Sequence, residues 1–128
     1  VYNHTKKRCK INSQIGILAT EATLSTKIYH KYFNKRFKLL SPPIKIQKKN
    51  VNKAIKFVKM GNVKKASKII QPAIKYLIQK RCKKIILGCT ELPIAIFAFR
   101  SFKEIKTSKL FLDPNLILAR SAMKKYIR

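Results

Sequence analysis

Lys84-Ile85-Ile86-Leu87-Gly88-Cys89-Thr90-Glu91-Leu92-Pro93 runs from a short apolar stretch into a glycine, a cysteine and a polar turn. Ile85 to Leu87 has the pattern of a strand buried on both faces of a parallel sheet, and Gly88 allows a tight turn at its carboxyl end. Backbone N–H groups in such a turn can bind an anion and lower a thiol pKa, which makes Cys89 a candidate nucleophile or general base. Read blandly, the same cysteine is a small hydrophobe at a strand end.

Outward from this stretch the chain alternates strands and helices. Ile15 to Ala19 is a second buried-strand pattern with Thr20 at its carboxyl end. Ile28, Tyr29, Tyr32 and Phe33 recur at helical spacing and predict a crossover helix from Ser25, as N-cap, to about Phe37. Lys38 to Leu40 reads as a short strand halted by Ser41-Pro42-Pro43. Val51, Ala54, Ile55 and Val58 predict a helix from about Asn50, with Gly61 as its stop. Apolar positions from Val63 to Ile78 predict a further helix reaching Arg81 and divided at Pro72. Leu92-Pro93 opens an apolar stretch through Phe102, read as a short helix or loop. Leu110 to Leu112 is a last strand, and Asp113-Pro114 supplies an N-cap and first position for a final helix over 114–127. This order predicts an α/β fold, a parallel sheet flanked by helices. Ligands of such sheets bind beyond the strand carboxyl ends, where Thr20 to Thr23, Cys89 to Glu91 and Asp113 would gather.

A chain of 128 residues with 46% hydrophobic content fits one folded domain. The reading divides it into a basic, irregular segment over 1–14 and an α/β domain over 15–128. Charge is the abnormal quantity: 31 Lys plus Arg against 4 Asp plus Glu give a formal +27. That field attracts polyanions without any dedicated site, although its even spread along the chain fits a solvated surface equally well. Cys9, Cys82 and Cys89 form no CxxC spacing and no even disulfide set, so zinc is not implied and a reducing cytoplasm is the expected compartment. No apolar run reaches the roughly 20 residues of a membrane span, and the first residues lack the apolar core of a signal peptide. No membrane partner is therefore expected.

Leu87-Gly88-Cys89-Thr90-Glu91-Leu92-Pro93 closely resembles the second cysteine motif of the aspartate/glutamate racemase family. Gly16-Ile17-Leu18-Ala19-Thr20-Glu21-Ala22-Thr23 is similar to that family's strand and Thr-rich turn. Asp113-Pro114 with Ile117-Leu118-Ala119 looks like its closing segment, and Pro43, Gln47, Ile55, Val58-Lys59 and Gly61 fit its middle. The resemblance covers nearly everything from Ile15 onward and implies one half of a two-domain racemase-like fold. It also implies racemisation without a cofactor: a thiolate removes the α-proton and a second thiol returns one from behind. On that basis Cys89 is the acid/base of this half, and Thr90, Thr20 and Thr23 hold carboxylate oxygens. Lys59 pairs with a substrate side-chain carboxylate, and Glu91 supports the loop or the ammonium. The substrate implied is a small dicarboxylic amino acid, aspartate or glutamate.

Each of these residues also has a plain structural reading: Thr20 and Thr23 as turn or cap residues, Lys59 as a solvated lysine, Glu91 as a surface cap, Asp113 as an N-cap. The family's first half, with its own cysteine in a Cys-Asn-Thr context, has no counterpart here, and Cys9 stands too close before the Ile15 strand to replace it. Ala22 stands where the family's Thr-rich turn usually has glycine, and Arg81-Cys82 replaces a customary Gly-Ala. One cysteine can abstract a proton but cannot return one from the opposite face. A truncated or degenerate racemase is therefore expected, working with a homodimer partner or a missing-half partner. Two rival readings stand beside it. One is an inactive structural remnant. The other is a basic protein binding nucleic acid non-specifically, with Tyr29, Tyr32, Phe33 and Phe37 interleaved among lysines and arginines as a stacking surface.

Overall fold

A computed structural model describes residues 1–98 and 109–127. Four parallel strands, β1 (Gln14–Leu18), β2 (Lys38–Leu40), β3 (Lys84–Leu87) and β4 (Phe111–Leu112), form one sheet in the order β2-β1-β3-β4. This is the parallel α/β sheet that the buried-strand patterns predict. Successive strand residues point to opposite faces, so Leu18, Ile85 and Leu87 enter one core while Ile15, Ile17 and Ile86 enter the other.

The first core is covered by α4 (Ile44–Ile46), a π-helical turn (Gln47–Asn52), α5 (Lys53–Lys59), α6 (Val63–Ile69), α7 (Gln71–Gln79) and α8 (Glu91–Phe97). Here α7 approaches β1 so closely that a Cβ on Gly16 would meet Leu77 Cδ1 at 2.9 Å. The second core lies under α1 (Tyr2–Lys6), α2 (Glu21–Ser25), α3 (Ile28–Phe33) and α9 (Pro114–Tyr126). Tyr2 packs edge-on against Phe33 and Phe37, with ring centroids 5.5 and 6.1 Å apart.

Several expectations are corrected. The segment over 1–14 is not wholly irregular, because Tyr2 anchors α1 to the aromatic cluster and buried Thr5 bonds to the Val1 carbonyl. The crossover helix is two helices, broken where Lys27 takes a left-handed φ of 53°, and Ser25 ends the first rather than capping it. The helix placed from Asn50 starts earlier, directly after Pro43. Phe33 and Phe37 are only 1% and 3% exposed and belong to a core, so of the four aromatic rings read as a stacking surface only those of Tyr29 and Tyr32 reach solvent. Pro72 divides α6 from α7 as expected, sitting in the first turn of α7, and α9 ends at Tyr126. Of the stretch through Phe102, the part beyond Ala98 lies outside the described residues. No helix among those residues is long and apolar enough to cross a membrane.

Candidate active site

The connection after β1 turns into α2 on one face of the sheet, whereas the connection after β3 turns into α8 on the other. Between these adjacent strands lies a topological switch point, where the diverging connections leave a crevice at the carboxyl edge. Thr20 and Cys89 stand on its two sides. Gly88 holds the sides together: its N–H donates to the Leu18 carbonyl at 2.7 Å, and a Cβ there would meet Ala19 Cβ at 2.8 Å and Leu18 O at 3.3 Å. Only glycine fits this contact without displacing β1.

Cys89 is half-buried. Burial pushes its thiol above the ordinary range, and the neighbouring Glu91 carboxylate adds to the rise, while the Leu92 and Glu91 N–H groups pull the other way. Burial pushes the Glu91 carboxyl up as well. Its own N–H, the Thr90 hydroxyl, the Cys89 thiol and the Lys59 ammonium outweigh that and hold it below the usual carboxylate value. Thr90 Oγ1 donates to Glu91 Oε2 at 3.0 Å, and Lys59 Nζ, at the end of α5, lies 3.7 Å from Glu91 Oε1. Lys59, Cys89, Thr90 and Glu91 therefore form one cluster.

On the other side, Thr20 caps α2: its Oγ1 accepts from the Thr23 N–H at 3.1 Å and donates to Thr23 Oγ1 at 3.0 Å. The capping role foreseen for Thr20 is thus present, with Thr23 as its partner. Asp113, at the carboxyl end of β4, accepts from the Asn115 and Leu116 N–H groups as the N-cap of α9. Cys9 lies beside Lys83 and Lys84 at the amino end of β3, the edge opposite Cys89, so it cannot serve as the second cysteine of this crevice.

A chain of side-chain amides that sequence reasoning left without a role ties the crevice to the π-helical turn. Gln47 Nε2 donates to the Ala19 carbonyl at 2.8 Å and to Asn52 Oδ1 at 2.9 Å, and Asn52 Nδ2 donates to Glu21 Oε2 at 2.8 Å. Gln47 is 2% exposed, and its Oε1 has no partner among the described residues. The insertion that makes the turn π-helical sets both amides toward the Thr20 loop, a placement common at functional sites. Beside the crevice opens a cavity of about 870 Å³, lined by Thr23, Thr26 and Gly88 and by the aromatic rings of Tyr29 and Tyr32. Among the described residues no three His, Cys, Asp or Glu side chains converge as a metal-binding group.

This arrangement has the plan of known racemases. A profile of the Asp/Glu/Hydantoin racemase family matches residues 1–122. The solved structure of Picrophilus torridus aspartate racemase superimposes with a TM-score of 0.75 and 26% sequence identity, over 97% of this chain and 48% of that one. A curated relative from Pectobacterium carotovorum subsp. carotovorum, described as an uncharacterized protein in pnlA 3'region, is 31% identical over 96 residues, 75% of this chain and 61% of its own length. The chain thus spans about half of one and about three-fifths of the other. By the match over most of its length, the chain belongs to the Asp/Glu/Hydantoin racemase family.

Proposed function

We propose that this chain supplies one cysteine half-site of a cofactor-independent amino-acid racemase acting on a small dicarboxylic substrate, aspartate or glutamate. The observation that carries the reading is Cys89 at the switch-point crevice, with two backbone N–H groups drawn toward its sulfur and the Thr20 turn across from it. As base, the Cys89 thiolate takes the α-proton, and the C–H electron pair passes into the substrate carboxylate as an enediolate-like carbanion. As acid, the thiol gives a proton back to that carbon. Thr20, Thr23 and Thr90 hydroxyls and the loop N–H groups are the donors available to the developing charge. Lys59 offers a cation for a second carboxylate, which it would exchange for its present contact with Glu91. Inversion needs another thiol on the opposite face, from a complementary half or a second copy of this chain.

The raised pKa fixes a sign. At neutral pH Cys89 rests as the thiol, so it is set to donate, and its activity as a base grows as pH rises through and beyond the ordinary thiol range. Replacing Glu91 by Gln removes a negative neighbour. The thiol pKa should fall, and iodoacetamide alkylation of Cys89 at fixed pH should speed up several-fold.

The deciding experiment is α-proton exchange of aspartate and glutamate in deuterated water, followed by NMR, for this chain and its Cys89→Ser variant. Exchange present in the parent and lost in the variant is the expected result. Exchange in neither would overturn independent half-site activity and favour a remnant that keeps the fold. Several exposed apolar side chains along α9 favour that second reading, since they suit a surface covered by another half or another copy.

A further inference from the structure

Away from the crevice, α1 and α9 flank two adjoining hollows of about 400 Å³ each. Both are lined by His4, Arg8, Ile117, Ser121 and Lys124; Lys7 closes one and Arg120 the other. Lys7, Arg8, Arg120 and Lys124 are all exposed, and no acidic side chain among the described residues lines the groove. Arg8 is held in place by a bond from Nη1 to the His4 carbonyl at 3.2 Å. Burial, and after it the charge of Arg8 with those of Lys84 and Arg120, holds the His4 imidazole in this groove below its ordinary pKa. Four cations along one groove, with no acidic side chain against them among the described residues, repel, and an anion laid between them relieves that repulsion.

We propose that the α1–α9 groove binds single-stranded nucleic acid through its phosphate backbone. Arg8 and Arg120 present guanidinium forks, whose geometry suits phosphate oxygens better than a point charge does. The half-buried Ile117 and the exposed Ile127 add apolar surface beside these cations for bases to contact. This goes beyond the racemase reading, since none of these residues belongs to the crevice. It also separates a local site from the general field of a +27 chain.

The test is fluorescence polarisation of a labelled single-stranded DNA 12-mer across a salt series. The unaltered chain is compared with a Lys7→Gln, Arg8→Gln, Arg120→Gln, Lys124→Gln variant. A control variant, Lys45→Gln, Lys48→Gln, Lys49→Gln, Lys53→Gln, changes net charge equally on the far face. At about 0.7 in log–log salt slope per phosphate contact, the groove variant should lose about 3 in slope and at least tenfold in affinity, while the control changes by less than about threefold. A single Ser121→Glu substitution, which places an acid mid-groove, should weaken binding about tenfold on its own. Equal losses in groove and control variants would overturn the proposal in favour of net charge alone. Tighter binding of duplex, or competition by polyglutamate as effective as unlabelled strand, would overturn the choice of ligand.

Discussion

The face of the sheet under α5, α6, α7 and α8 and the face under α1, α3 and α9 are built from alternate residues of the same strands, yet they are finished differently. The first gathers Leu18, Val51, Ala54, Ala66, Ile70, Leu77, Ile85, Leu87, Leu92 and Ile96 into one continuous core. The second relies on Ile15, Ile17, Ile86 and an aromatic cluster, and its last helix, α9, has no buried residue at all; Leu118, Met123 and Ile127 are 69%, 60% and 79% exposed. The larger core therefore lies on one face, while the smaller core on the other leaves the apolar side chains of α9 uncovered.

The largest expected effect tests this asymmetry directly. Leu77→Ala removes a fully buried side chain that also fills the space over Gly16, and should cost about 2–5 kcal/mol in urea unfolding. Met123→Ala on α9 should stay within about 0.5 kcal/mol. Comparable losses at the two positions would break the comparison and mean that α9 is as tightly packed in solution as α7.

Next in size is Gly88→Ala, at the seam between the two cores. A Cβ there collides with Ala19 and the Leu18 carbonyl, neither of which is a flexible side-chain end, so β1 and β3 must part. The expected cost is about 1–3 kcal/mol, with a faster alkylation of Cys89 as its turn opens. A neutral substitution would mean that the crevice is looser than the contact distances imply.

How far the sequence foretells these features depends on whether their cause is local. The strands β1 and β3 are legible because three or four consecutive apolar residues are buried on both faces, and Cys89 and Thr20 follow because they end those strands. The break at Lys27 is not legible, since neither glycine nor proline marks it. Gln47 gives no apolar signal at its position, so the early helix start and the amide chain to Asn52 and Glu21 escape. Their hydrogen bonds join residues 28 and 31 positions apart, which only the folded packing brings together. The short α1 escapes for a similar reason, as its one anchoring ring, Tyr2, shows no periodicity until Phe33 and Phe37 lie beneath it.

The smallest predicted effect concerns two departures from the racemase pattern, one on each face. Ala22 sits inside α2 with ordinary helical neighbours, so replacing the usual glycine there carries no backbone strain. Arg81 is different. It follows α7 at a φ of 59°, with its N–H bonded to the Ile78 carbonyl at 2.9 Å and the Cys82 N–H to the Leu77 carbonyl at 3.1 Å, the left-handed helix ending that favours glycine. Gly61 ends α5 the same way at a φ of 78°, with a residue that suits the geometry. Holding arginine left-handed costs about 1–2 kcal/mol. The extra freedom of glycine in the unfolded chain returns about 0.5–1 kcal/mol of that. Arg81→Gly should therefore stabilise the fold by about 0.5–1 kcal/mol, read as a higher urea midpoint at unchanged slope. A drop in stability instead would mean that Arg81 earns its place through side-chain packing on the covered face, and that this face extends beyond the end of α7.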